Sequence, residues 1–153
     1  MPNTYTQLYI HIVFAVKGRK SIIVEGKREE VQKYMTGIVH SSGSKLISIY
    51  CMPDHCHLLI GHNPDQSISS LVQKIKSNTS KWINEKRIYD QKFAWQSGYG
   101  AFSYSRSQID TVAKYIRNQP QHHAKRTFRE EYIQLLDKFN IEYNPDYLFD
   151  RVD

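Results

Sequence analysis

An α+β domain, with helices packed on one face of a four-stranded antiparallel sheet, is the fold class this chain predicts. Three observations lead there. The length of 153 residues lies within the range of one domain, and a chain of that size buries roughly 68 to 70% of its unfolded surface without disulfide or metal staples. Short runs rich in β-branched and aromatic residues alternate with segments of helical period in the order β-α-β-β-α-β-α. No internal repeat, low-complexity tract or Pro/Gly/Ser linker divides the chain, so residues 1–153 read as a single domain with a core over about 5–132 and a C-terminal helix and tail over 128–153.

Each element follows from local pattern. Tyr5 to Val16 (YTQLYIHIVFAV) has the composition of a buried strand. From Lys27 to Val39, Val31, Tyr34, Met35, Ile38 and Val39 recur at i, i+3, i+4, i+7, i+8, the stripe of an amphipathic helix, and Gly43 is placed to cap its end. Lys45 to Cys51 and His55 to Ile60 are apolar runs separated by Met52-Pro53-Asp54, an antiparallel hairpin. Asp65 or Ser67 then starts a helix carrying Ile68, Leu71, Val72, Ile75, Trp82 and Ile83. A fourth strand falls within Phe93 to Tyr104. Ser107 opens a helix through Ile109, Val112, Ala113 and Ile116, and Phe128, Tyr132, Leu135, Leu136 and Phe139 mark a last amphipathic segment before a polar-aromatic tail. The order is that of the split βαβ, ferredoxin-like arrangement, which hosts many functions, so function has to come from a site.

Composition narrows the classes. The 40% hydrophobic and 24% charged content, with a mean hydropathy of −0.59, describes a globular protein, and its apolar runs fall far short of the roughly 20 residues a membrane helix needs. The N-terminus has neither a basic region nor an apolar stretch before a cleavage site, so the expected location is the cytoplasm. Cys51 and Cys56 are the only cysteines and are not spaced as a C-x-x-C pair, so they read as core thiols. Twenty-one Lys and Arg against 15 Asp and Glu give a net charge of +6, which suits a polyanionic ligand or a merely solvated basic surface. Phe93, Trp95, Tyr99, Phe102 and Tyr104 lie beside Lys92 and Arg106, the mixture on which unstacked bases pack, although each ring taken singly is more often part of a core.

Two local patterns carry chemistry. His55-Cys56-His57 begins a strand, where side chains alternate, so both imidazoles project from one face and Cys56 from the other. Two neutral imidazoles on one face are able to bind a divalent metal, while a satisfied or solvated side chain is the ordinary fate of each alone. In the helix from Ser107, Ile109, Val112, Ala113 and Ile116 cluster on the buried face, whereas Tyr115, Gln119 and His122 sit together about 100° away. Tyr115 and Gln119, four apart, share a helix face, so one could attack a substrate while the other reaches the same metal. A phenol of pKa about 10 needs a cation or base to act as a nucleophile at neutral pH.

Taken together, Pro53-Asp54-His55-Cys56-His57-Leu58-Leu59-Ile60, Gly98-Tyr99-Gly100-Ala101-Phe102-Ser103, and Val112-Ala113-Lys114-Tyr115-Ile116-Arg117-Asn118-Gln119 with His122-His123 resemble the single-domain HUH tyrosine transposases, the TnpA enzymes of the insertion sequence 200/605 group. Tyr9 to Phe14 and Lys17-Gly18-Arg19 extend the resemblance over residues 5 to 132. It implies an HUH-endonuclease fold in which His55, His57 and Gln119 hold Mg²⁺ or Mn²⁺ and Tyr115 attacks single-stranded DNA. The implied products are a 5′-phosphotyrosine and a free 3′-OH, and because the phosphotyrosine conserves the bond energy, strands can be rejoined with no nucleotide cofactor. The resemblance also implies recognition of imperfect hairpins at element ends and a homodimer whose Tyr115 helix completes the partner's site. Cys56 departs from the usual valine-like residue, but a buried thiol is a small hydrophobe. Tyr104 competes as a nucleophile. Lys74, Lys76, Lys81, Arg87 and Lys92 are the expected phosphate contacts. Two relatives remain as alternatives: the tyrosine transposases associated with repetitive extragenic palindromes, and a domesticated, catalytically idle hairpin-binding protein.

Overall fold

The sheet is built around the apolar run that opens the chain. In the computed structural model, which describes residues 3–18, 23–89 and 91–149, this run forms β1 (Tyr9–Ala15). It is followed by α1 (Arg28–Ser41), β2 (Lys45–Cys51), β3 (His55–Gly61), α2 (Ile68–Glu85), β4 (Gly100–Tyr104), α3 (Ile109–Arg117), α4 (Gln119–His123) and α5 (Phe128–Lys138). The sheet order is β2-β3-β1-β4 with every pair antiparallel, the split βαβ arrangement expected. Arg19 and the last residues of the tail lie outside the described residues.

Local chemistry explains most boundaries. Gly43 takes φ +84°, where a side chain would be strained, and its N–H closes on the His40 carbonyl at 3.0 Å to end α1. Of the two candidate starts for α2, Ser67 is the cap: its side chain accepts from the Ser70 N–H. The cap before α3 is Ser105 rather than Ser107, because a single 3₁₀ turn precedes the helix and Gln108 reaches back to the Ser105 N–H. The first strand begins at Tyr9, four residues later than its composition suggests, and Tyr5 is 90% exposed.

Strand alternation gives the two faces of the sheet different roles. Ile12, Phe14, Cys56, Leu58 and Ile60 face α1 and α2 and are fully buried with Val31, Met35, Leu71 and Ile75. Each such side chain contributes about 1.5–3 kcal/mol of hydrophobic stabilisation. Cys51 and Cys56 pair across the hairpin as buried free thiols, so Cys56 acts as the small hydrophobe its position called for. The expectation of helices on one face describes α1 and α2, but the other face is covered too. There Leu59 packs against Val112, Ala113 and Ile116 of α3, and Phe102 meets Phe139 just beyond α5. His11, His55 and His57 open onto this second face, beneath α3, α4 and α5.

Candidate metal and nucleophile site

His55 and His57 lie two apart on β3, and both are fully buried. Each ring is oriented by a partner behind it. His55 Nδ1 lies 2.6 Å from an Asp54 carboxylate oxygen, and His57 Nδ1 lies 2.8 Å from Nε2 of His11 on the neighbouring strand. These contacts turn both Nε2 atoms toward α5, where Phe128 stacks on the His55 ring at 3.9 Å between centroids.

The side chain that waits there is Glu131, an acid with no exposure. Its Oε1 is 3.5 Å from His55 Nε2, 3.1 Å from His57 Nε2 and 3.1 Å from His123 Nε2. Its Oε2 accepts from Gln119 Nε2 at 2.9 Å and from the Tyr115 hydroxyl, with Arg126 Nη2 at 3.7 Å. Arg126 Nη2 also donates to the Tyr115 oxygen at 2.9 Å. One carboxylate therefore joins the imidazole pocket to the tyrosine. Donor atoms of His55, His57, His123 and Glu131 all lie within 4.8 Å of one another, a group with the chemistry to hold a metal ion.

The electrostatics follow from burial and this network. Burial pushes the Glu131 carboxyl up, yet His57, His123 and His55 overcome it and hold it well below the usual carboxylate range. Burial lowers His57, whereas for His55 the hydrogen bonds to Asp54 and Glu131 outweigh burial and raise it. Burial, then the Glu131 charge and hydrogen bond, drive the Tyr115 phenol far above its ordinary value.

All four residues expected to carry the chemistry converge here. Tyr115 is half-buried, its ring 6.0 Å from that of His57 and nearly perpendicular to it. Gln119 is fully buried with Oε1 at 3.3 Å from His55 Nε2. The two do not share one helix as the spacing suggested: α3 ends at Arg117, and Gln119 starts α4 with Pro120 behind it, a residue with no N–H to continue the first helix. Glu131, His123, Asp54, His11 and Arg126 are the additional members. Glu131 had a legible signal, because it falls between Phe128, Tyr132 and Leu135 on the apolar stripe of its helix, where a carboxylate needs a partner.

The expected phosphate contacts lie elsewhere. Lys74 and Lys81 are on α2, across the sheet from Tyr115; Lys81 reaches Glu85 at 4.0 Å. Lys81 and Lys92 border a groove of about 530 Å³ between α2 and the 92–99 segment, together with Phe93, Trp95 and Tyr99. Arg87 is exposed just after α2 at φ 52°. Lys76 plays a structural part instead. Its Nζ donates to the carbonyls of Gln96 at 2.7 Å and Gly98 at 3.0 Å, tying that segment to the helix.

Residues 4–119 match the family model described as "Transposase IS200 like". The chain belongs to the IS200-like transposase family. The ISDra2 transposase TnpA of Deinococcus radiodurans is 25% identical over 118 residues, 74% of this chain and 84% of that protein. The IS200 transposase of Salmonella typhimurium is 28% identical over 121 residues, 71% of this chain and 74% of that one. Among solved structures, a Deinococcus radiodurans transposase superposes with a TM-score of 0.61 at 23% identity over 76% of this chain and 94% of its own. A REP-associated tyrosine transposase bound to a REP hairpin gives a TM-score of 0.61 at 15% identity over 99% of this chain and 92% of its own. The enzyme is thus a transposase with the HUH fold, and no helix among its described residues is long and apolar enough to cross a membrane.

Proposed function

We propose that this transposase cleaves and rejoins single-stranded DNA next to hairpins, with Tyr115 as nucleophile and a divalent metal held by His55, His57 and Gln119. The observation that carries the reading is the shared Glu131 carboxylate, which sets the Tyr115 hydroxyl at the rim of the buried imidazole pocket of the same chain. The donors fit a metal, since Asp54 and His11 occupy the Nδ1 atoms and leave both Nε2 atoms aimed into the pocket. A bound divalent ion supplies Lewis-acid polarisation of the scissile phosphate.

The chain's own residues then act in sequence. Glu131 Oε2, its hydrogen-bond acceptor, and Arg126 Nη2 orient the Tyr115 hydroxyl, which loses its proton to solvent, and Arg126 Nη2 faces the resulting phenolate. The phenolate oxygen bonds to phosphorus as the bond to the 3′-oxygen breaks, leaving a 5′-phosphotyrosine and a 3′-OH. A second 3′-OH reverses the step. The test is an end-labelled hairpin oligonucleotide with a single-stranded flank, incubated with Mg²⁺ or Mn²⁺. Wild type should give a denaturant-resistant adduct, and Tyr115→Phe should give none while keeping hairpin affinity. Tight binding without an adduct under either metal would instead support the idle hairpin-binding reading.

Two finer points belong to this reading. The single chain already brings Tyr115 to its own histidines, which supports action in cis over the homodimer with exchanged helices that the family resemblance implies. A REP-type role is favoured over an insertion-sequence one by the C-terminal segment, since the hairpin-bound relative shares the fold along nearly the whole chain whereas the family match stops at residue 119.

A further inference from the structure

We infer that the cleft beside Tyr115, between the end of β4, α3 and α5, is a base pocket: it takes the unpaired base of the nucleotide whose 5′-phosphate becomes joined to Tyr115, stacked on the ring of Tyr104. The inference rests on the proposed role of Tyr115 as nucleophile and extends it to the strand next to the cleaved phosphate.

Position is the first argument. The cleft has a volume of about 260 Å³, and Tyr115, Arg126 and Glu131 form part of its wall. Pockets for drug-sized ligands begin at roughly 300 Å³, so there is room here for one base and not for a paired helix. In-line displacement brings the tyrosine oxygen in on one side of phosphorus and releases the 3′-oxygen on the other. Tyr115 lines the cleft and the histidines do not, which puts the cleft on the entering side. The nucleotide beside it is therefore the one that stays attached.

Stacking and charge are the second. Tyr104 ends β4 two residues after Phe102, on the sheet face that carries His11, and its partly buried ring lines the cleft. Every base has a π-face, so an aromatic ring accepts any of them. Lys138 Nζ stands 5.4 Å from the centroid of the Tyr104 ring. That lysine is exposed and flexible, so it can swing to a phosphate and leave the ring to a base. Arg126 and Lys138 outnumber Glu131 around the cleft, which gives it positive charge toward a polyanionic strand.

Hydrogen bonding is the third. Gln134 Oε1 accepts from Arg126 Nη1, leaving the amide N–H groups of Gln134 for a base edge. Thr111, exposed on α3, adds a hydroxyl that both donates and accepts. Tyr104 is on this reading a binding platform and not a second nucleophile.

An abasic scan decides it. Hairpin oligonucleotides with a single-stranded flank are made with one flank nucleotide at a time lacking its base. Two quantities are read for each strand: the rate of adduct formation by wild type with Mg²⁺ or Mn²⁺, and the equilibrium affinity of Tyr115→Phe, which reports binding without chemistry. Loss of the base from the attached nucleotide should lower both by about five- to a hundredfold, the range for stacking of one base. Loss of the base across the cleaved bond should have a much smaller effect. With Tyr104→Ala the intact strand should fall by a similar factor and the abasic strand no further, and Tyr104→Phe should restore the intact-strand values. Tyr104 also packs against the core. Should its alanine variant fail to fold, Thr111→Trp, at an exposed position, fills the cleft from its rim and should equally erase the sensitivity. Undiminished rate and affinity with the attached nucleotide abasic, or a Tyr104→Ala penalty that persists on the abasic strand, would overturn the inference. Failure of the Tyr115 reading shows itself differently, as no adduct from any strand while one abasic position still weakens the affinity of Tyr115→Phe in a Tyr104-dependent way.

Discussion

Glu131 is a buried acid satisfied on both oxygens by groups from three other elements, and the depressed pKa of its carboxyl makes it a stability element with a definite pH signature. A carboxylate held below its unfolded value, about 4.3, contributes stability that is fully present above that value and is lost as pH falls below it. Metal-free wild type should therefore lose stability more steeply than Glu131→Gln between about pH 4.5 and pH 3, as urea unfolding at the two ends of that window would read. Parallel slopes would mean that the histidine contacts to Glu131 contribute nothing. His57→Ala acts on the same centre from the strand side. It should abolish adduct formation and weaken metal binding by calorimetry; ordinary cleavage by that variant would remove His57 from the metal set.

Helix α5 sets the position of the site, because it carries Glu131 and roofs His55 with Phe128. Its first turn is held by a capping box in which the Thr127 hydroxyl accepts from the Glu130 N–H at 3.2 Å and the Glu130 side chain accepts from the Thr127 N–H at 3.0 Å. Thr127→Ala removes half of that box and should cost about 1 kcal/mol, a fall of about 2–4 °C in Tm for a chain of this size. The same helix is locked to β4 at Gly100, where an added Cβ would meet Tyr132 Cε1 and its hydroxyl at 2.8 Å and Phe102 at 3.1 Å. Neither ring can retreat, since Tyr132 and Phe102 are both buried. Gly100→Ala should accordingly destabilise by about 1–3 kcal/mol, and a thermal scan showing no change would mean that α5 is free to shift.

The molecule as assembled divides its work between the two faces of one sheet. Tyr115 and the imidazole pocket lie beneath α3, α4 and α5, and the basic, aromatic groove lies beside α2. Because one chain assembles Tyr115 and both histidines, a mixture of Tyr115→Phe and His57→Ala proteins should form no adduct; recovery of activity on mixing would establish exchanged helices between subunits. Phosphate contacts on the α2 side should appear in the salt dependence of hairpin affinity. Lys81→Ala should reduce the slope of log K against log salt by about one. Lys76→Ala should leave the slope unaltered and lower Tm, because that ammonium is engaged by the carbonyls of Gln96 and Gly98.

Whatever depends on short-range periodicity was legible in the amino-acid order. Alternation along a strand is enough to place His55 and His57 on one face with Cys56 on the other, helical spacing is enough to draw α1, α2 and α5, and Gly43 announces the end of α1 because capping is local chemistry, whereas the choice between Asp65 and Ser67 at the start of α2 was decided by the fold. The packing of the elements settled the rest. That Gln119 and Tyr115 belong to two helices follows from Pro120, yet that Gln119 still reaches His55 follows from how α4 lies over the sheet. Glu131 advertised itself as a charge on an apolar stripe, but its partners are 74 residues away at His57 and 16 away at Tyr115, and no local pattern encodes such separations. Lys76 shows the converse: as a lysine on a helix it reads as a phosphate contact, and only the backbone folded against it turns it into a strut. Local propensity acts through neighbouring residues, whereas a metal pocket is made of side chains whose shared location is set by the packing of elements far apart in the chain.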